Sequence, residues 1–342
     1  MKGKHVLITG HTGFKGSWLI AMLHYQGAKI SGVALDPVTG GIFEKADLHE
    51  LLAHDIRLDI RNSVELTKAI QKISPDIVIH LAAQPLVLAS YEKPSETYET
   101  NVMGTLNVLE AVDATSSVQA TLIITTDKVY RQEPGVKKAF VESDALGAAD
   151  PYSTSKAMAD LLTQSWIASH PEAKIAIARA GNVIGGGDVA ENRLLPDLVK
   201  AFHDSSQAIV RNPQSVRPWQ HVLDCLAGYV LLVQALLSGS AKPGAYNFGP
   251  APESPLKVGR VAEIASSTWG GSAQWVVEER EQPHEANYLV LDSSKSKTVL
   301  DWREKLTCEE AIKWSVEWSK YESSGGSCLR MTNEQLSLYL SR

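Results

Sequence analysis

Three cysteines, Cys225, Cys308 and Cys328, are all that 342 residues contain, and none stands in a paired spacing. That excludes a disulfide framework and a zinc finger, leaving thiols of the core or the surface. A basic excess is missing too: Lys plus Arg number 33 against 39 Asp plus Glu, a formal net charge of −6. Neutralising a phosphate backbone needs the opposite balance, so nucleic acid is not an expected partner. No apolar run is long enough for a bilayer. The most apolar, Cys225 to Leu237, is short and broken by Gln234, and His11 and Lys15 precede any signal-like stretch. The expectation is a cytoplasmic protein with no membrane partner. The ten histidines form no helical two-His pattern with a nearby acid, and there is no internal repeat, so neither a metal site nor a solenoid is indicated.

What is present is an ordinary globular composition, 44% hydrophobic and 21% charged, at a length that suits one large α/β domain with a smaller lobe. HVLITG (5–10), KISGVALD (29–36), DIRLD (55–59), IVIHLAA (77–83), TLIITTD (121–127) and KIAIARAG (174–181) read as strands. Their continuous apolar character, without strict alternation, argues burial on both faces and hence a doubly wound parallel sheet covered by helices. Helices are expected over 14–26, 63–73, 95–114 and 152–169 as right-handed crossovers. Beyond residue 185 glycines and prolines punctuate shorter segments. They place a smaller substrate-binding lobe at 186–221 and 249–322, interleaved with a domain over 1–185 to which 222–248 returns. The last helix, near 309–321, sets Trp314 and Trp318 one turn apart as a core stripe, and SSGGS (323–327) marks a flexible break in an unassigned tail, 323–342.

The first strand runs directly into Gly10-His11-Thr12-Gly13-Phe14-Lys15-Gly16 at the mouth of a helix. Glycines there permit a tight turn and let a pyrophosphate approach the free N–H groups at the positive helix end. Asp36 closes the second strand 20 residues beyond Gly16, where a carboxylate bonds both hydroxyls of an adenosine ribose and repels a 2′-phosphate. This favours a Rossmann-type dinucleotide site for NAD over NADP; the alternative for Asp36 is a solvated acid before Pro37. Tyr152 and Lys156 stand at i and i+4 at the start of a helix, where an ammonium can stabilise a phenolate and make the tyrosine a base. Alone, such a pair is an ordinary surface pair. Thr125-Thr126-Asp127-Lys128 end the fifth strand at the edge where an open α/β sheet gathers ligands, although Asp127 and Lys128 also suit a solvated turn.

In these residues the chain resembles the extended short-chain dehydrogenase/reductases that modify nucleotide sugars, and among them the sugar-nucleotide 4,6-dehydratases, in the branch acting on CDP-glucose. The likeness extends to about Trp318. It is carried by GHTGFKGSWL (10–19), AAQPLV (82–87), the run Asn101 to Gly104, ARAGNVIGGGD (178–188), RPWQHV (217–222) and PHEANYLVLD (283–292). The resemblance implies a lyase that keeps NAD bound and serves deoxysugar biosynthesis, such as that of lipopolysaccharide O-antigen. Tyr152, with Lys156, is implied to take a proton from the C4 hydroxyl held by Thr126. Lys128 is the implied base at C5 and Asp127 the implied acid at C6. Asp59 and Ile60 are implied at the adenine, and Leu81, Ala82, Ala83, Gln84 and Thr100 along the ribose and nicotinamide. Gln84, Asn182, Arg193, Arg217 and His284, beside Glu285, are implied on the substrate side. Alternatives there are an exposed helix residue for Arg193, a strand-end cap for Asn182 and a loop ion pair for His284 and Glu285. A homodimer or homotetramer is implied as well. Two departures bear on the substrate: Arg131 to Asp150 is short and charged where the family has a longer aromatic-rich loop, and Val189 stands where Trp is usual. A nucleotide-sugar 4-epimerase, a dehydratase for another nucleotide sugar and a non-catalytic NAD-binding protein remain competing readings.

Overall fold

The computed structural model describes residues 1–133, 135–251, 256–271, 273–278 and 289–342. Each of the six apolar runs forms a strand, and a seventh joins them. β1 (His5–Thr9), β2 (Lys29–Ala34), β3 (His54–Arg57), β4 (Ile77–His80), β5 (Ala120–Thr126), β6 (Ile175–Ala180) and β7 (Gly244–Phe248) make one sheet. Its order is β7-β6-β5-β4-β1-β2-β3, with every pairing parallel. Because side chains alternate across a strand, one sheet feeds two cores. Val6 and Ile8 of β1 point into a core with α1 (Phe14–Tyr25), whereas Leu7 between them joins Val78 and Val33 in the other. That second face is closed by α2 (Ser63–Ile73), through Leu66 and Ile70, and by α3 (Gly104–Asp113), through Val108 and Ala111. The boundaries of α2 follow from local chemistry: Asn62 accepts from the Glu65 N–H at the start, and Ser74 turns left-handed at φ 49° at the end. α4 (Pro151–Ser169) starts on a proline behind Asp150, which accepts the Ser153 N–H. α5 (Val222–Ser238), apolar nearly all round, is buried against the first core.

The expected helix over 95–114 is three pieces. Pro94–Tyr98 is α-helical, Glu99–Met103 is a π turn, and α3 resumes at Gly104. At Gly104 a Cβ would lie 2.5 Å from Ile60 Cδ1, so the bare backbone lets this segment press onto the turn after β3. A third apolar core lies outside the sheet. It gathers Ile184, Leu198, Phe202, Val261 and, from α6 (Cys308–Ser323), Ile312 and Val316.

The tail also departs from expectation. Gly325 (φ 81°) and the bond from Gly326 N–H to the Tyr321 carbonyl, 3.0 Å, turn the chain sharply. It then forms α7 (Cys328–Ser341), burying Cys328, Thr332, Leu336 and Tyr339. The run read as a flexible break is a helix–helix turn, and the helix it leads into braces the glycine run at 185–187. Thr332 of α7 accepts from Trp318 Nε1 at 2.9 Å, the Trp318 ring fills the space a side chain at Gly186 would need, and Trp18 Nε1 donates to the Gly186 carbonyl at 2.9 Å. Among the described residues no helix is long and apolar enough to cross a membrane.

This packing sets an expectation for stability. Gly186→Ala forces Trp318 to move and should destabilise the fold by about 1–3 kcal/mol in a urea titration. A change below about 0.5 kcal/mol would show that the ring yields freely.

Candidate active site

Strand order reverses between β1 and β4, and an open α/β sheet binds its ligands outside the carboxyl ends of the strands at such a point. The glycine loop leaves β1 there. Gly10 has φ 73° and lies so close to the chain after β4 that a Cβ would sit 2.6 Å from the Ala82 nitrogen. Gly13 is the cap of α1 and carries no side chain to satisfy the first-turn N–H groups. A crevice with bare backbone at its floor and an uncapped helix start fits a pyrophosphate. Thr12 donates to the Leu35 carbonyl at 3.1 Å, and Phe14 reaches the glycine run, its Cζ 3.0 Å from where a Gly185 Cβ would be. Lys15 sends its Nζ to 6.0 Å from the Tyr229 ring centre.

Asp36 stands at the rim, 90% exposed, with Arg57 Nε 3.5 Å away. Arg57 is itself held by Asp55, so the Asp36 carboxylate keeps its reach for a ribose. Asp59 is turned inward on its own loop: Arg61 bonds it from backbone and side chain and holds it below the usual carboxylate range. Ile60 is buried in the core, and its carbonyl accepts from Asn107 at 2.9 Å.

Leu81, Ala82, Ala83 and Gln84 follow β4. Leu81 N–H continues the ladder to the Thr9 carbonyl at 3.0 Å. Beneath them His80 is fully buried, and burial lowers its pKa to about 3, so it is neutral. Thr105 gives its hydroxyl proton to the Asn101 carbonyl at 2.7 Å. His80 Nε2 must therefore donate to Thr105 at 3.0 Å, and Nδ1 accepts from Thr9 at 2.7 Å. Gln84 spends its side-chain amide on Thr97 and on the Leu86 carbonyl and N–H. Asn101, in the π turn beside Thr100, ties Gln84 to the Tyr152 helix. It accepts the Gln84 N–H at 2.8 Å and donates to Ser155 Oγ at 2.8 Å. The sequence flagged Asn101 as a family mark but gave no hint of this bridge.

At the end of β5, Thr126 donates to Asp127 at 2.9 Å. The Asp127 carboxyl lies over Gly181, where a Cβ would stand 2.9 Å from Oδ2, so ARAG leaves room for the acid. Asp127 is 3% exposed, and burial pushes its pKa up against the pull of Lys128. Tyr152 faces the same pocket, its N–H on Ser90 Oγ at 3.1 Å and Lys128 Nζ 6.0 Å from its ring centre. Burial pushes its phenol up to about 12, opposed by the charge of Arg193 and the Thr126 hydroxyl. Lys156, on the same helix, does not point at the phenol. Its Nζ donates to the Ile124 carbonyl at 2.7 Å, and burial brings it down to about 8. On the far wall, Asn182 begins the strand Asn182–Ile184 that pairs with Trp219–His221. Arg193 caps the helix Leu194–His203, bonds Asp188 at 3.2 Å and sends its field to Tyr152. Arg217 bonds the Val216 carbonyl at 3.0 Å. His284 and Glu285 lie outside the described residues. The structure thus brings Thr126, Asp127, Lys128 and Tyr152 together, with Arg193 as the cation felt by the phenol.

Comparison with known proteins bears on the family and the fold. Residues 6–249 match the NAD dependent epimerase/dehydratase family. A CDP-glucose 4,6-dehydratase of Salmonella typhimurium is 41% identical over 350 residues, covering 99% of this chain and 97% of the relative. Among solved structures, a UDP-glucose-4-epimerase from Stenotrophomonas maltophila with bound NAD superposes with a TM-score of 0.81 at 20% identity, covering 94% of this chain and 100% of its own. A dTDP-glucose 4,6-dehydratase, DesIV of Streptomyces venezuelae, gives 0.79 at 24%, covering 95% and 99%. At those identities the two structures bear on the fold alone.

The close approach at Gly10 predicts a specific defect. Gly10→Ala should weaken the binding of NAD, used as the probe dinucleotide in calorimetry, at least about tenfold. Unchanged affinity in a folded Gly10→Ala protein would contradict the placement of the pyrophosphate.

Proposed function

This chain belongs to the NAD dependent epimerase/dehydratase family, and on that footing we propose that it converts CDP-glucose to CDP-4-keto-6-deoxyglucose by loss of water. One observation carries the choice of dehydration: a second acid–base pair, Asp127 and Lys128, shares the pocket of the Tyr152 phenol. A 4-epimerase needs only the tyrosine; elimination also needs a base at C5 and an acid at C6.

The glycine loop, Asp36 and the chain after β4 would hold NAD, which would supply a hydride acceptor for oxidation at C4 and a hydride donor for reduction at C6. Tyr152 takes the C4 hydroxyl proton while Thr126 bonds that oxygen. Lys156, one turn on along the same helix, keeps its ammonium on the Ile124 carbonyl. The C4 carbonyl acidifies the C5 hydrogen, and Lys128 is the base that removes it. Asp127, whose pKa burial raises, gives its proton to the C6 hydroxyl as the C–O bond breaks and water leaves. Lys128 then returns the proton to C5. Arg193 and Arg217 supply guanidinium forks for the diphosphate, with Asn182 beside them.

The expected pH dependence has its loss on the alkaline side. Asp127 works as an acid only below its raised pKa, and Lys156 loses its charge as pH rises through about 8. The test is incubation of the purified protein with CDP-, dTDP-, GDP- and UDP-glucose, each product being weighed by mass spectrometry. Loss of water from the CDP sugar, with kcat/KM declining above about pH 8, is expected. A C4 epimer without loss of water would replace this reading with epimerisation.

We also read the exposed apolar side chains Leu88, Tyr91, Met103, Met158 and Leu161, around α4, as a self-association face of a homodimer. Sedimentation velocity should show a dimer that Met158→Glu with Leu161→Glu converts to monomer, and an unchanged mass in that variant would refute the face.

A further inference from the structure

Beneath the catalytic helix lies an ion pair that the reaction, as derived above, does not use. Asp160 and Arg179 have no solvent-exposed side-chain surface. Asp160 is saturated with donors. Oδ2 accepts from Arg179 Nε at 2.8 Å and Thr125 Oγ1 at 3.0 Å, and Oδ1 from Arg179 Nη2 at 2.7 Å and Gln164 Nε2 at 2.7 Å. Arg179 spends its remaining nitrogen on the Tyr130 hydroxyl at 2.8 Å and the Glu142 carbonyl at 3.1 Å. Tyr130 lies under its guanidinium at 5.0 Å and passes its own proton to Asn247 at 2.7 Å. One buried pair thus joins α4, β5, β6, β7 and the segment after Lys128.

Desolvating two charges consumes most of what their attraction returns, and apolar residues of like volume often do as well. Stability alone therefore does not account for the pair. Its position does: Asp160 follows Lys156 by one helical turn, and Thr125, which bonds it, precedes Thr126 and Asp127. We propose that Asp160 and Arg179 are positioning residues, which keep Lys156 charged in its place on β5 and lock the Tyr152 helix to the strand end carrying Thr126 and Asp127.

The charges around Lys156 give this its sign. Burial and the ammonium of Lys15 both drive Lys156 toward neutrality, His80 is uncharged, and Asp160 is the anion that opposes them. Arg179 orients Asp160 through two bonds to its carboxylate, with Lys295 and Glu142 as the other charged groups near that guanidinium. Without Asp160, Lys156 retains only the influences that discharge it.

The kinetic arm of the test rests on the dehydratase reading; the spectroscopic arm does not. Asp160→Asn with Arg179→Gln removes both charges and leaves neutral hydrogen-bonding partners. The carbon-13 resonance of the Lys156 side chain, assigned by its disappearance in Lys156→Met, is titrated in both proteins. Its midpoint should fall by about one pH unit in the double variant, and the alkaline limb of kcat/KM should fall with it. A folded double variant whose Lys156 midpoint equals that of the wild type overturns the proposal. Should the double variant not fold, Arg179→Lys decides. It keeps the charge and loses the fork, and kcat should drop at least about tenfold at unchanged KM; a wild-type kcat would overturn the positioning role.

Discussion

Two backbone surfaces meet with no side chain between them at the carboxyl edge of the sheet, and the site is built around that contact. At Gly10 the exit of β1 lies against the chain leaving β4, and at Gly181 the exit of β6 leaves space for the Asp127 carboxyl. Any Cβ at either point collides. The floor of the crevice is consequently bare peptide, which suits an anion, and the neighbouring wall is a buried acid, which suits proton donation. The glycine run at 185–187 repeats the device on the other side, with Phe14, Trp318 and Ile42 filling the space its missing side chains leave and Trp18 bonding the Gly186 carbonyl.

Burial then sets the protonation states. It raises Asp127 and Tyr152 and lowers Lys156, so each group is biased toward neutrality: the acid is favoured as a proton donor, whereas the phenol needs positive charge beside it before it can lose its proton. Specific partners restrain those shifts: Lys128 at Asp127, Arg193 at Tyr152 and Asp160 at Lys156. Among the described residues no group of three or more His, Cys, Asp or Glu could hold a metal ion.

Sheet and flanking helices were legible because burial on both faces writes continuous apolar runs. The π turn at Glu99–Met103 was not legible, since a register shift inside a helix leaves the 3.6-residue pattern nearly intact. Nor was α7. Ser, Gly and Gly before it have the composition of a linker, yet Gly325 and Gly326 are there because the turn needs a left-handed residue and close contact with Tyr321. The site residues were named from motif and resemblance. Their mutual arrangement was hidden, because Gln84 spending its amide internally, Lys156 facing Ile124 and Asp160 meeting Arg179 all depend on long-range packing.

The central claim is that hydrogen taken from C4 returns at C6 with loss of water. The most direct test is conversion of CDP-glucose deuterated at C4, with the label located in the product by NMR. The account predicts a 4-keto-6-deoxy sugar carrying the deuterium on its C6 methyl group. Deuterium found again at C4 of an intact hexose would contradict it, leaving the same fold and tyrosine to serve an epimerase.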